Sequence, residues 1–429
     1  MITILVDEIT NRLEYTFAVI FGEWLSLEYE ITTSPNEANT FLINYSSQDA
    51  KSELRIYNEG LLEESNIRTA NPQIADQDGL PLPFLSEDST HDLTFDIFSA
   101  IFFCLSRYEE YITMVRDRHG RFEARESIFS EYLRIPYLDR WMSMLDDVFV
   151  KKGAKKPREI KFEWINTMDM DIAFAYKGRS AYRKLGATAK DLVKMKFDRL
   201  KERNSVLSGK APDPFDTYDL FLNAEGSSQN ILFVPVGERS EYDNNLALET
   251  NSLQAHIKGL AAKVEVGLHP SYQSLGSSSV IGKEKAKLEA VLSAPIKKSR
   301  QHFLRFQLPE TYEALKENGI DQDYSMGFHD DIGFRSGTAY AYTFFDLKNN
   351  RHLPIKLVPL IAMDSAMNVY LKYSPEEAIS EMKEVILNMM STGGNFVTVW
   401  HNHSLSELDE WVGWRKVYLT IPDHVTTSS

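Results

Sequence analysis

The chain has 429 residues, 43% of them hydrophobic and 25% charged, which is enough for one large domain plus a smaller one, each with a buried core. Its formal net charge of -15 argues against a general nucleic-acid binder, a class that is normally basic. The single cysteine, Cys104, cannot close an internal disulfide, no stretch is long and apolar enough to cross a bilayer, and the N-terminus lacks a signal-peptide pattern, so a soluble cytoplasmic protein is expected.

Residues 1–150 read as a smaller α/β domain of unknown role. The stretches MITILV, EWLSLEYEIT and NTFLINY have the β-branched and aromatic character of short strands. The apolar run around Ile97–Leu105 is dense enough for a buried helix, and a helix over Asp139–Val150 closes the segment. No histidine–carboxylate cluster stands out here, so packing rather than catalysis is the expected contribution. The polar, basic run 151–159, interrupted by Gly153 and Pro157, is the best linker in the chain.

From Ile160 onward, strand-like and helix-like stretches alternate, the pattern of parallel βα units. Strands are predicted over 160–168, 231–237, 264–269, near 298–306, over 355–363 and over 395–400. Helices are predicted over 253–263, 283–292 and 308–320, where Pro309 suits a first turn and Gly319 a C-terminal stop. Ser374-Pro375-Glu376-Glu377 is a strong helix start, and Gly393-Gly394 ends that helix. Residues 177–203 carry ten Lys or Arg against three acids and read as a solvated basic helix.

The first residues with chemical promise are Asp169 and Asp171, one residue apart at the exit of an apolar strand. In extended chain alternate residues share a face, so both carboxylates can enter one site. The carboxyl ends of parallel strands are where βα architectures hold their active sites. Two carboxylates so close stay ionised only beside a cation or strong donors. Asp-x-Asp alone is a weak pattern, and a lone histidine is more often structural. Here, however, His269, His302, His401 and His403, four of ten histidines, all fall at predicted strand ends. Several such placements together with the Asp pair form a site-like pattern, and imidazole suits a metal such as zinc.

The order aspartate pair, histidine, arginine, late histidine resembles the polysaccharide deacetylase family (nodulation-protein-B homology, carbohydrate esterase type), in a subgroup with an extra N-terminal domain. Thr167-Met168-Asp169-Met170-Asp171 is similar to that family's Thr-Phe-Asp-Asp-Asp motif. Glu265-Val266-Gly267-Leu268-His269 resembles the approach to its His-Ser/Thr-x-x-His motif. Arg300 with Pro309-Glu310-Thr311-Tyr312-Glu313-Ala314-Leu315 resembles the third motif, and Val397-Thr398-Val399-Trp400-His401 the last. The resemblance covers roughly Ile160 to Trp414; Phe95–Phe98, Ser106–Tyr111 and Gly333–Thr338 fit the subgroup. It implies an irregular (β/α) barrel over residues 160–429 and a metal-dependent hydrolase that removes acetyl groups from an N-acetylated sugar or polysaccharide. It also implies roles: Asp169 as catalytic base, Asp171 and His269 as ligands of a divalent metal, Zn2+ foremost, His401 as general acid, and Arg300 as the group that orients Asp169. The implied partner is a carbohydrate substrate.

One departure matters. Gln273 stands four residues after His269, where the family has its second histidine ligand. Either His302 takes that place as the third metal ligand, or metal binding is weak, or it is lost and the domain binds glycan or a partner without turnover. Asp364 is a poor match to the family's remaining motif. A phosphatase of the haloacid-dehalogenase type would also use Asp-x-Asp, with His329-Asp330-Asp331 as its later acids, but it leaves the histidines unexplained. A glycosyltransferase would want a nucleotide-binding first half, and no glycine-rich strand-to-helix loop lies near the N-terminus.

Overall fold

The computed structural model describes residues 1–34, 41–69, 71–154, 160–178, 195 and 197–426. Most of the basic stretch 177–203 and the second half of the linker 151–159 lie outside these residues.

The N-terminal segment builds a four-stranded parallel sheet. Its strands are β1 (Ile2–Val6), β2 (Tyr29–Thr32), β3 (Phe41–Tyr45) and β4 (Leu54–Arg55), in the order β2-β1-β3-β4. A small antiparallel ribbon pairs β5 (Ile74–Gln77) with β6 (Leu80–Pro83). The predicted strand EWLSLEYEIT is strand only at its end, because the preceding Ala18–Trp24 winds as a π-helix. The helix Ile97–Leu105 is buried along its whole length, and Asp96 caps it by accepting from the Ser99 amide at 2.9 Å. Arg107 then takes a left-handed φ of 53°, which breaks the apolar run before the short helix Tyr108–Ile112.

The second sheet holds nine strands. These are β7 (Phe162–Asp169), β8 (Ser227–Pro235), β9 (Glu265–His269), β10 (Lys298–Ser299), β11 (Gln322–Asp323), β12 (Tyr342–Asp346), β13 (Arg351–Leu357), β14 (Ala362–Met363) and β15 (Gly394–His401). Their order is β12-β13-β11-β10-β9-β8-β7-β15-β14, and every pairing is parallel except β12 with β13. The helices Asn251–Ala261, Ser278–Leu292, Glu310–Glu317 and Pro375–Met389 fall between strands, as the alternation predicts. Ser374 and Glu377 form a full capping box on the last of these.

The sequence reads 355–363 as one strand; the structure splits it into β13 and β14, which belong to opposite sides of the sheet. Eight parallel strands laid flat would part those two by roughly 34 Å at about 4.8 Å per strand. The five steps from Leu357 to Ala362 reach at most about 18 Å. The sheet therefore curls strongly. Its ladder stays linear, however, with no β13–β14 pairing among the described residues. The expected barrel is thus present as a curled, parallel-dominated sheet, without a closed ring of hydrogen bonds.

One continuous apolar core runs from Ile2 to Val425 and includes residues of both segments. No helix among the described residues is long and apolar enough to cross a membrane.

Candidate functional site

Parallel register brings the carboxyl ends of the central strands level. Asp169 at the end of β7 sits directly across from His401 at the end of β15, and His269 ends β9 one strand beyond β8. Each is the polar terminus of a strand whose preceding residues are buried, so the apolar run fixes where the polar group emerges.

Asp171, two residues past β7, is the hub. Its Oδ1 lies 3.3 Å from His269 Nε2 and 3.8 Å from His302 Nε2, and its Oδ2 lies 3.5 Å from His401 Nε2. One ligand atom each from Asp171, His269 and His302 fall within 4.8 Å of one another. Asp171 Oδ1 and His269 Nε2 are buried and, among the described residues, have no hydrogen-bond partner. Buried polar atoms without partners are costly. A cation between them would satisfy both, so the donor set fits a divalent metal.

Each imidazole is steered from behind. His269 Nδ1 lies 2.7 Å from the Arg300 carbonyl oxygen, which makes it the donor and leaves Nε2 as the free lone pair. His302 Nδ1 is 2.9 Å from Asp243 Oδ1, and His401 Nδ1 is 2.7 Å from Asp364 Oδ1. Asp364 also accepts from the His401 amide at 2.7 Å. Such outer partners fix ring orientation and tautomer.

Arg300 is fully buried. It donates from Nη1 to Asp169 Oδ1 at 3.0 Å and to Thr167 Oγ1 at 2.6 Å, and from Nε to the Tyr324 carbonyl at 3.1 Å. Its guanidinium stacks 4.4 Å from the Phe233 ring centroid.

At Asp171, His302 and His401 burial pushes against charge, and the neighbours overrule it. Burial alone would raise the Asp171 carboxyl, but His401 and His302 hold it well below the usual carboxylate range. Burial alone would lower His401, but Asp364 and then Asp171 push it up to about 10. His302 goes up to about 9 against its burial, through Asp171 and Asp243.

Asp169, Asp171, His269, His302 and His401 line a cleft of about 290 Å³ whose other walls include Arg121, Phe303, His329, Tyr370, His403 and Trp411. Gln273 is exposed, on the short turn Tyr272–Ser274, and does not line the cleft. Four contributors have no place among the site residues that the sequence suggests. Asp243 lies in an irregular loop whose only signal is its carboxylate. His329 reads from sequence only as part of the rival phosphatase pattern. Asp364 reads only as a poor match to the deacetylase family's remaining motif. Arg121 comes from the N-terminal segment, where packing alone was expected. Its Nη1 donates to the Phe303 carbonyl at 3.0 Å, and its Nη2 to the Tyr370 hydroxyl at 3.0 Å.

The sequence profile of a family of unknown function, DUF7033, matches residues 2–154. No curated protein matches the chain. Among solved structures, a "putative polysaccharide deacetylase" from Mycobacterium smegmatis overlaps at 16% identity and a TM-score of 0.38, over 62% of this chain and 86% of that one. A "putative glycoside hydrolase/deacetylase" from Parabacteroides distasonis overlaps at 8% identity and a TM-score of 0.37, over 64% of this chain and 70% of that one. Likeness at this level does not establish a shared fold.

Proposed function

We propose that the chain is a metal-dependent hydrolase that removes acyl groups from an N-acetylated sugar or polysaccharide. The observation that carries the reading is the convergence of Asp171, His269 and His302 on one point, with unpartnered buried lone pairs facing it. Three protein ligands would leave an open position, as hydrolytic zinc sites require. A zinc ion bound there would supply Lewis acidity towards water and towards the acyl carbonyl.

The chain's own groups would divide the proton work. Asp169 Oδ1 is taken up by Arg300, so Oδ2 is the oxygen free to receive a proton from attacking water. His401, with Nδ1–H donated to Asp364, has its Nε2–H available to the departing amine. Asp364 and Asp171 hold the proton on the His401 ring, which is the state an acid needs at the outset. The aromatic walls at Tyr370 and Trp411 offer the apolar contact that sugar faces use.

The test is zinc stoichiometry together with deacetylation of N-acetylated oligosaccharides, in the wild type, His269→Ala and Asp169→Asn. His269→Ala is expected to lose both metal and turnover. Asp169→Asn is expected to keep the metal and lose turnover by about 10²–10⁴-fold, the usual worth of a general base. Wild-type protein that takes up no metal with zinc in excess would overturn the scheme and leave a glycan- or partner-binding domain.

A further inference from the structure

The turn that carries His302 is unusual in its backbone. Phe303 has φ 63° and Leu304 φ 50°, and neither is glycine. Left-handed backbone at two successive bulky residues is disfavoured and persists only where surrounding contacts impose it. Some of those contacts come from the turn's own segment. The His302 amide donates to the Pro270 carbonyl at 3.3 Å, and Arg305 Nη1 donates to the Tyr272 carbonyl at 2.8 Å.

The others come from the N-terminal segment. Arg121 Nη1 donates to the Phe303 carbonyl, at the strained residue itself. Arg305 Nε donates to the His119 carbonyl at 2.8 Å, and His119 Nδ1 lies 3.0 Å from the Tyr272 hydroxyl. The Phe303 ring packs tilted against His119 of this segment, with centroids 5.4 Å apart, and edge-on against Tyr242 and Tyr272 of its own segment, at 5.6 and 5.5 Å.

The loop that supplies these contacts is itself braced. Asp117 accepts from the amides of His119 and Arg121 at 2.9 and 2.8 Å and from the Arg121 guanidinium at 2.8 and 3.0 Å. Arg121 donates through Nε and Nη2 to Asp117, through Nη1 to Phe303 and through Nη2 to Tyr370, so it acts as a strut between the two segments.

We propose that the Asp117–Arg121 loop of the N-terminal segment is a latch that holds the His302–Leu304 turn in its left-handed conformation and so keeps His302 aimed at Asp171 and His269. Arg121 is then a positioning residue for the third metal ligand, and the N-terminal segment is part of the active site. This inference rests on the metal site proposed above.

The test uses the full chain. Zinc affinity is measured by competition with a chromophoric chelator, and the visible absorption of the Co2+-loaded protein is recorded. Arg121→Ala is expected to weaken zinc binding about 10–100-fold, the usual cost of losing an outer-shell partner. Its Co2+ bands are expected to change as those of His302→Ala do. The double variant is expected to be no worse than His302→Ala alone, because the latch acts only through that side chain. Additive losses, or an Arg121→Ala protein with wild-type affinity and spectrum, would overturn the latch. Should the alanine variant not fold, Arg121→Lys replaces it: one ammonium beside Asp117 cannot also span Phe303 and Tyr370, so wild-type affinity there would again overturn it. A wild type that takes up neither Zn2+ nor Co2+ instead removes the metal site itself, an outcome distinct from a metal-binding wild type with an indifferent Arg121.

Discussion

At His401 the sign of the electrostatics makes a direct prediction. Burial works against its proton, while Asp364 and Asp171 hold it, so the ring stays charged up to about pH 10. A cation on Asp171 would cancel that carboxylate's share and leave Asp364 as the main support. If His401 is the acid, turnover falls on the alkaline side as the ring loses its proton. Asp364→Asn removes a negative charge 2.7 Å away, so that limb of the pH–rate profile should move to lower pH by on the order of one unit. A limb that stays put would exclude His401 as the titrating group. Gln273 makes a second residue-scale prediction. It is exposed and outside the cleft, so Gln273→His should leave zinc affinity within about twofold of wild type, whereas a vacant ligand position would show a clear gain. The sequence offered Asp169, His269 and His401 because each ends an apolar strand and the polarity change marks the exit. Arg121 offered nothing of the kind, since its partner Phe303 lies 182 positions away and no periodicity links two loops.

Strands and helices were legible where a long run carried one clear pattern. β7, β8, β9 and β15 follow from their apolar stretches, and the helix Pro375–Met389 from its capping box. The two-residue strand β11 carries too little sequence to mark itself, β10 ends at Ser299 although its apolar stretch reads as strand to 306, and β13 and β14 read as one because apolar residues continue through the corner between them. What that corner does is set by the curl of the whole sheet, which no local window contains. Gly267 shows how tightly the curl is packed. A Cβ there would lie 2.5 Å from the Phe233 ring and 3.2 Å from the Lys298 carbonyl. Phe233 is fully buried and carries the Arg300 guanidinium on its face. Gly267→Ala should therefore cost about 1–3 kcal/mol in urea denaturation, the usual range for overpacking. It should also disturb turnover, because the displaced ring supports the arginine that holds Asp169. A variant of wild-type stability would mean that β9 can shift away from β8 at no cost.

On the scale of the molecule, the two segments are joined by a buried ionic cluster that sequence patterning cannot reveal, because Arg335 lies 225 positions from its partner Glu110. Glu110 accepts from Arg107 Nε at 2.8 Å and from Arg335 Nε and Nη2 at 3.0 and 2.7 Å. Arg107 also donates to Glu109 at 2.6 Å and to the Arg335 carbonyl oxygen. All four side chains are buried, with at most 4% exposure, and their charges balance. Burial would raise the Glu110 carboxyl, but Arg335 and Arg107 bring it down to about 2. A group depressed in the folded state contributes stability that is present above its unfolded pKa, about 4.3 for Glu, and lost as pH falls through the folded value. Wild-type stability should therefore decline from about pH 4.3 towards pH 2 partly on account of Glu110. Glu110→Gln leaves two buried guanidinium groups facing one carboxylate. It should cost about 3–5 kcal/mol at pH 7, the usual penalty for breaking a buried ion pair from one side. Because the variant no longer has that carboxyl to protonate, the gap between the two proteins should narrow as the pH is lowered through this window. Urea midpoints measured from pH 7 down to the acid limit of folding test both statements. A gap that is small at neutral pH, or that widens on acidification, would mean that the cluster does not join the N-terminal segment to the sheet that bears the site.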